Sequence, residues 1–270
     1  MYPRCQAQRA KMTVRPAEEG CLALRRSPQE RVFLQASLGQ SMLLIFDNDG
    51  TICDTQQVEG HCYAKAIQCV TGLSLSTVDW NTFHEPTSSA IVRHLLAADA
   101  EWQDKEARIK QEFCRLLREA QPQFPADFSP LPGAIEFIER VRSEGAPVAI
   151  ATGGFDQEAE FKLACCGLKL EDFPHATASD TPRRRDIIKL ACARAGFELD
   201  SVVYFGDAPW DVRATSELGI PMIGIGRRCN QLRKLGVKFA FRDYSDPEGI
   251  MTAVHILGEE LQTNRVRVRC

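Results

Sequence analysis

Two carboxylates lie close together in the segment FDNDGT, Phe46–Thr51. Asp47 and Asp49 are separated by one residue and directly follow a short apolar run, and Gly50 allows the chain to turn after them. If strand geometry continues through the segment, both side chains point to the same side and can face one substrate. A strand-to-turn segment in which Asp and Asn make turn hydrogen bonds explains these residues equally well.

A second pair of acids lies in the segment YFGDAPWDV, Tyr204–Val212. Asp207 follows an apolar run and also suits a helix N-cap, whereas Asp211 lies one turn into the next helical pattern. Two strands that both end in acids bring three or four carboxylates to one sheet edge. Such carboxylates repel one another strongly, so they need a cation. Oxygen ligands with room for water and phosphate favour Mg²⁺.

Two further segments can bind an anion at the same edge. In AIATGGF, Ala149–Phe155, Thr152 follows an apolar run and precedes two glycines at the start of a helical pattern. A hydroxyl beside free backbone N–H groups at a helix N-terminus binds anions. The basic triplet Arg183–Arg185 opens another helical pattern. Such a triplet is usually solvated, but one of its members can reach this edge and balance phosphate charge.

Short apolar runs predict the strands that position these residues. Runs that are apolar on both faces are typical of buried parallel strands. They are Met42–Phe46, Pro147–Ala151, Val202–Phe205 and Pro221–Ile225. The helical patterns around them are Gly133–Glu144, Gln157–Cys166, Thr181–Ala195 and Ala208–Leu218. The alternation predicts an α/β fold with a doubly wound parallel sheet.

The stretch between the first two predicted strands has no comparable apolar run. Its helical patterns are Val58–Val70, Ser88–Ala98 and Asp104–Ala120. We therefore predict an all-helical cap over residues 55–129, inserted into a core formed by residues 42–54 and 130–262. A cap after the first strand sits over that strand's carboxyl end, where open α/β sheets bind ligands.

Residues 1–41 differ from the rest, with seven Lys or Arg, three Glu and no sustained periodicity. An Arg-rich targeting peptide is one interpretation, but such peptides are poor in acids. We therefore predict a disordered extension, with Met42 a plausible translation start.

Composition excludes several classes of protein. The 270 residues carry a formal charge of −3 and are 44% hydrophobic, which is typical of a globular protein and not of a nucleic-acid or membrane-surface binder. The apolar runs are too short to span a membrane. The eleven cysteines are odd in number and lack zinc-like spacing. Reduced thiols and a cytoplasmic location follow as predictions.

In combination, Asp-x-Asp-Gly-Thr, Thr-Gly, a basic residue and Gly-Asp-x-x-x-Asp resemble the motifs of the haloacid dehalogenase superfamily. The resemblance runs from about Met42 to about His255, and ATGG with GDAPWDV is most similar to the phosphoglycolate-phosphatase-like branch. It implies a Rossmann-like core with a small helical cap.

The resemblance also implies site residues and a cofactor. Asp47 would attack phosphorus and form an aspartyl-phosphate, and Asp49 would be the general acid and base. Thr152 and the Gly153 amide would hold phosphate oxygens. Mg²⁺ would be bound by Asp47, the Asp49 backbone carbonyl and Asp207, with Asp211 ordering a metal-bound water.

The third motif departs from the family pattern, which usually has a Lys at this position. The nearest lysine, Lys189, lies inside a predicted helix, so the resemblance implies an arginine there instead. We predict Arg184, with Arg183 and Arg185 as alternatives.

The predicted function is Mg²⁺-dependent hydrolysis of a small phosphorylated metabolite, with no nucleic-acid or membrane partner. Asp49 argues against a dehalogenase or phosphonatase, since neither protonates an ester oxygen. A sugar phosphomutase and a non-catalytic Mg²⁺-binding scaffold remain alternatives, and the oligomeric state is open. The residues predicted to contact the leaving group from the cap are His84, Thr87, Ser88 and Arg93.

Overall fold

The computed structural model describes residues 42–75 and 80–269. The predicted disordered extension over residues 1–41 lies outside the described residues. Side chains are described over the same ranges, apart from residues 56, 57 and 264–269.

The described residues form a sheet of six parallel strands in the order β3-β2-β1-β4-β5-β6. All four predicted strands are present, and the predicted parallel α/β fold is confirmed. Two short edge strands, β3 and β6, were not predicted, because two or three residues are too few to show a pattern. The strands are β1 (Leu43–Phe46), β2 (Val148–Ala151), β3 (His175–Ala176), β4 (Val202–Gly206), β5 (Met222–Ile225) and β6 (Phe239–Phe241).

Helices connect the strands and cover both faces of the sheet. In the described ranges they are α1 (Gln56–Thr71), α2 (Ser88–Leu95), α3 (Trp102–Ala120), α4 (Ala134–Ser143), α5 (Asp156–Cys165), α6 (Arg184–Arg194), α7 (Pro209–Leu218), α8 (Cys229–Lys234) and α9 (Pro247–Arg269). Two predicted boundaries were wrong. Helix α6 begins only at Arg184, because Arg183 is extended, and α2 ends at Leu95, because Leu96 leaves the helical conformation.

Strand β1 lies at the centre of the core because all four of its side chains are apolar and buried. Leu43 and Ile45 join the apolar cluster on one face of the sheet, and Leu44 and Phe46 join the cluster on the other. This alternation is the period of a strand, so helices on both faces bury β1. The carboxyl end of β1 is thereby held in a fixed position.

The helices inserted after β1 pack on one another and on the sheet domain. Tyr63 of α1 packs edge-on against Phe113 of α3, with ring centroids 5.1 Å apart. Both belong to the cluster that contains Leu43 and Ile45. The Thr87 hydroxyl donates to the Pro182 carbonyl at 2.6 Å, so the start of α2 touches the loop before α6. The division into cap and core at residues 55 and 129 stays a prediction.

Two further observations bear on the sequence-based expectations. None of the helices in residues 42–75 and 80–269 is both long and apolar enough to cross a membrane. The eight cysteines in those ranges are free thiols.

Phe205 provides a test of the core. It stacks on Phe46 with ring centroids 4.3 Å apart and is fully buried. Phe205→Ala should lower the free energy of unfolding by about 3–5 kcal/mol, because it removes a buried aromatic ring and leaves a cavity. Urea denaturation measures the change. Phe124→Ala is the control, since Phe124 is 52% exposed and should lose less than about 1 kcal/mol.

Candidate active site

The ends of β1 and β4 bring three acids together. Phe46 and Phe205 are register partners in these adjacent strands, so Asp47 and Asp207 follow neighbouring strand ends. Asp211 lies in the first turn of α7, which begins just after Asp207. Carboxylate oxygens of the three residues lie within 4.8 Å of one another, and all three side chains are buried. The structure therefore brings these three acids together at one edge of the sheet, where the sequence predicted them.

Arg184 lies between two of these acids. Its Nη1 is 3.0 Å from Asp47 Oδ2 and 3.0 Å from Asp211 Oδ1. The same Nη1 is 3.3 Å from the Tyr204 hydroxyl, which also bonds to Asp211 Oδ1 at 3.3 Å. Arg184 is buried, whereas Arg183 is exposed and Arg185 pairs with Glu217 on the surface. Of the three arginines, Arg184 is therefore the one that enters the site.

Burial and charge work against each other at Asp47 and Asp211. Burial raises the pKa of Asp47 well above its usual value, and the Arg184 guanidinium opposes that rise. Repulsion from Asp211, Asp207 and Asp49 adds to it. The pKa of Asp211 is likewise raised by burial and lowered by Arg184. The site thus holds more negative charge than Arg184 alone can balance.

Arg228 supplies a second cation that sequence reasoning missed. It follows β5, and its Nη1 donates to Asp207 Oδ2 at 2.9 Å. Its guanidinium also lies over the Trp210 ring, 5.4 Å from the centroid. No motif marks this position, since only the parallel register of β4 and β5 brings their carboxyl ends together.

Thr152 and Gly153 lie at the end of β2, beside β1. Thr152 is buried, and its Oγ1 accepts a hydrogen bond from the Gly154 amide at 3.2 Å. A Cβ on Gly153 would collide with the Arg184 guanidinium, so a larger residue here would displace that group from its present position. The Gly153 carbonyl accepts from the Ser88 amide at 2.8 Å, which ties this loop to α2.

Asp49 lies in the same cleft as Asp47 but has different partners. Its Oδ1 accepts from Lys162 Nζ at 2.8 Å and from the Thr55 hydroxyl. The expectation that both acids can face one substrate assumed that strand geometry continues through the segment; it does not continue, although both side chains line one cleft. The strand ends at Phe46, and the chain then turns around the Asn48 carbonyl, so the alternation does not continue.

Lys162 and its acidic partners were also missed by sequence reasoning. Lys162 lies on α5, fully buried, and pairs with Glu59 Oε1 at 2.9 Å and Glu158 Oε1 at 3.3 Å as well as with Asp49. Burial raises the pKa of Glu59 to about 7 and that of Glu158 to about 8, although Lys162 opposes both shifts. The i,i+4 spacing of Glu158 and Lys162 was a signal for their pairing, but not for their burial.

The cleft has an apolar side that can receive a leaving group. Trp80, Pro86 and Trp210 line it together with the acids. Of the four cap residues predicted to contact a leaving group, Ser88 lines this cleft. Thr87 instead caps α2 by accepting from the Ala90 amide. His84 and Arg93 have exposed side chains, with Arg93 lying over the Trp102 ring.

The donor set fits a small hard cation. Asp47, Asp207 and Asp211 offer carboxylate oxygens close enough to share one ion. Oxygen ligands of this kind suit Mg²⁺, and a divalent charge would offset the repulsion that raises the pKa of Asp47. The Asp49 side chain lies in a separate group with Glu59 and Glu158. Only its backbone carbonyl remains as the predicted metal contact.

The family of the chain follows from comparison with known proteins. A family described as haloacid dehalogenase-like hydrolase matches residues 44–225, which is more than half of the chain. The chain therefore belongs to the haloacid dehalogenase-like hydrolases, as the motifs predicted. The family is one of hydrolases.

The individual relatives and solved structures share less than 30% sequence identity with the chain. The chain is 27% identical over 194 residues to a phosphoglycolate phosphatase from Agrobacterium fabrum, a match that covers 68% of this chain and 80% of the relative. It shares its fold with CbbY from Rhodobacter sphaeroides, solved in complex with xylulose-(1,5)bisphosphate, at 16% identity and a TM-score of 0.63, covering 76% and 95% of the two chains. A β-phosphoglucomutase from Clostridium difficile matches at 17% identity and 0.62, covering 83% and 99%.

The raised pKa of Glu158 predicts a pH dependence of stability. The folded protein holds a proton on Glu158 up to about pH 8, whereas the unfolded chain releases it near the ordinary value of 4.5. The folded state therefore binds more protons between these values, so stability falls as pH rises. Urea denaturation of the metal-free protein from pH 5 to 8 should show this fall. Glu158→Gln should make it shallower, while Glu160→Gln, an exposed change on the same helix, should not.

Proposed function

We propose that this protein is a Mg²⁺-dependent phosphatase that hydrolyses a small phosphorylated metabolite through an aspartyl-phosphate on Asp47. The observation that carries the proposal is the placement of Asp47. It is a buried carboxylate at the end of the central strand, paired with Arg184 and lining the same cleft as Thr152, Gly153 and Asp49.

In the first step, an oxygen of Asp47 attacks phosphorus. The bond from phosphorus to the ester oxygen breaks, and Asp49 gives its proton to the departing alcohol. Burial holds the pKa of Asp47 well above its usual value, and Arg184 opposes that rise, so Asp47 attacks in its ionised form only when further positive charge reaches the site, which a bound Mg²⁺ would supply. Asp47 is also held in place, since the Asn48 amide donates to its Oδ1 at 2.8 Å.

In the second step, Asp49 takes a proton from water, which attacks the phosphorus and releases phosphate and free Asp47. Thr152 and the Gly153 amide hold phosphate oxygens, and the Arg184 guanidinium balances their charge. Phosphoryl transfer depends mainly on this kind of positioning and charge stabilisation.

Mg²⁺ held by Asp47 and Asp207, with the Asp49 backbone carbonyl and with Asp211 nearby, would supply charge neutralisation for the phosphate. The carboxylate group of three described above supports this assignment.

The cleft and the curated relative guide the choice of substrate. Trp80, Pro86 and Trp210 leave room for a small leaving group beside the acids. The relative from Agrobacterium fabrum is named phosphoglycolate phosphatase, so phosphoglycolate is the first compound to assay in a panel of phosphorylated metabolites.

Asp47→Asn tests the nucleophile. The variant should lose several decades of p-nitrophenyl phosphate turnover in Mg²⁺, because an amide nitrogen cannot form the phosphorylated intermediate. Phosphate release measures the rate. Asp54→Asn is the matched control, since Asp54 lies in the same loop but pairs with Arg227 outside the cleft.

Three outcomes would contradict this assignment or the proposed function. If Asp47→Asn keeps more than about a tenth of the wild-type rate, a difference of roughly 1.4 kcal/mol, Asp47 is not the nucleophile. If the wild-type enzyme transfers phosphate between the hydroxyls of a hexose phosphate without releasing it, the protein is a phosphomutase. If neither reaction occurs, it is a scaffold.

Asp207→Ala tests the metal site by melting temperature. Mg²⁺ should raise the melting temperature of the wild type but not that of the variant, because the change removes a direct ligand. Without Mg²⁺ the variant should melt close to the wild-type temperature, since the loss of one of the mutually repelling acids offsets the loss of its pair with Arg228. Asp54→Ala should keep the full Mg²⁺ shift. A wild-type shift in Asp207→Ala would place the metal elsewhere.

A further inference from the structure

Lys162 is a buried cation that the proposed reaction does not use. It lies on α5, and its side chain has no exposed surface. Its Nζ is 2.8 Å from Asp49 Oδ1, 2.9 Å from Glu59 Oε1 and 3.3 Å from Glu158 Oε1. Three N–H donors thus meet three carboxyl groups, which is the full donor capacity of an ammonium group.

An ammonium group is retained at such a depth only when its partners offset the loss of hydration. These partners come from different parts of the chain. Glu158 lies on the same helix, Glu59 on α1 of the insertion, and Asp49 in the loop after β1. The bonds from Lys162 to Glu158 and Glu59 are enough to join α5 to α1. The third bond, to the Asp49 carboxyl group in the cleft, therefore needs a separate explanation.

The two side-chain hydrogen bonds to Asp49 described above are accepted by the same oxygen, Oδ1. Both Lys162 and the Thr55 hydroxyl donate to Oδ1. Two donors on one oxygen fix the plane of the carboxyl group, and they disfavour a proton on that oxygen. Any proton that Asp49 carries is therefore directed to Oδ2. A general acid needs this control, because proton transfer depends on the placement of the donor atom.

We propose that Lys162 is a positioning residue that, together with Thr55, orients Asp49 for proton transfer to the leaving group. As the bond from Asp47 to phosphorus forms and the bond from phosphorus to the ester oxygen breaks, the proton on Asp49 Oδ2 moves to that ester oxygen. Water later returns a proton to the same atom. Lys162 itself neither gains nor loses a proton. This inference rests on the proposed function.

The leaving group supplies a readout that a purely structural ion cluster would not change. p-Nitrophenolate leaves readily without a proton, whereas phenolate depends far more on a general acid. Lys162→Met keeps an unbranched side chain of similar length but no charge. We expect kcat/KM for phenyl phosphate to fall about 10²-fold, and that for p-nitrophenyl phosphate to fall less than about tenfold.

Two further variants calibrate the experiment. Asp49→Asn removes the acid itself and should show the same selective loss on phenyl phosphate. Lys110→Met is the structural control. Lys110 of α3 pairs with Asp156 of α5, so its loss also breaks a link between the insertion and the sheet domain without touching Asp49. It should leave the ratio of the two kcat/KM values at the wild-type level.

If Lys162→Met does not fold, as judged by circular dichroism, Thr55→Val decides. Thr55 makes no side-chain bond that caps α1, so Val removes the second donor to Asp49 Oδ1 with little other change. It should shift the ratio in the same direction as Asp49→Asn. Equal losses on both esters, or no loss, in a folded variant would overturn the proposal for Lys162 while wild-type turnover keeps the proposed function. A wild type without Mg²⁺-dependent turnover would overturn both.

Discussion

Mutual repulsion among buried carboxylates is the constraint on which the rest of this structure depends. Asp47, Asp207 and Asp211 meet at the carboxyl edge of the parallel sheet, where burial raises the pKa of Asp47 and of Asp211. They remain there because Arg184 and Arg228 reach the edge from separate loops. Such an arrangement is costly for folding alone. It is suited to binding a divalent cation, whose charge would offset the acids, and a phosphate, whose charge would offset the arginines.

Asp47 and Asp49, the two acids that follow β1, each pair with a different cation. Arg184 pairs with Asp47, and Lys162 pairs with Asp49. Acids placed so close together can take different roles only when their surroundings differ. Here the difference comes from the turn after β1, which sends the two side chains to different partners although both line one cleft.

The helical insertion contributes to the site through contacts with its loops. The Ser88 amide binds the Gly153 carbonyl, and the Thr87 hydroxyl binds the Pro182 carbonyl just before Arg184. Glu59 reaches from α1 to Lys162. The start of α2 is therefore bonded to the loop that contains Thr152 and Gly153 and to the loop that leads to Arg184. A shift of the insertion would therefore displace those loops, since close-packed interiors transmit strain.

The sequence by itself determined the parallel α/β fold, the family and the acids at the strand ends. Those features depend on local patterns, because an apolar run followed by Asp fixes both a buried strand and what stands at its end. The sequence also indicated Arg184, with Arg183 and Arg185 as alternatives. Only the structure shows which arginine enters the site, because Arg183 is extended and Arg184 is buried at the start of α6. The positions of Lys162, Glu59 and Arg228 were decided by tertiary structure alone. Lys162 lies 113 residues from Asp49 and 103 from Glu59 along the chain, and Arg228 lies 21 residues from Asp207. Charged residues are mostly exposed, so a sequence pattern does not predict that such a side chain is buried against a distant partner.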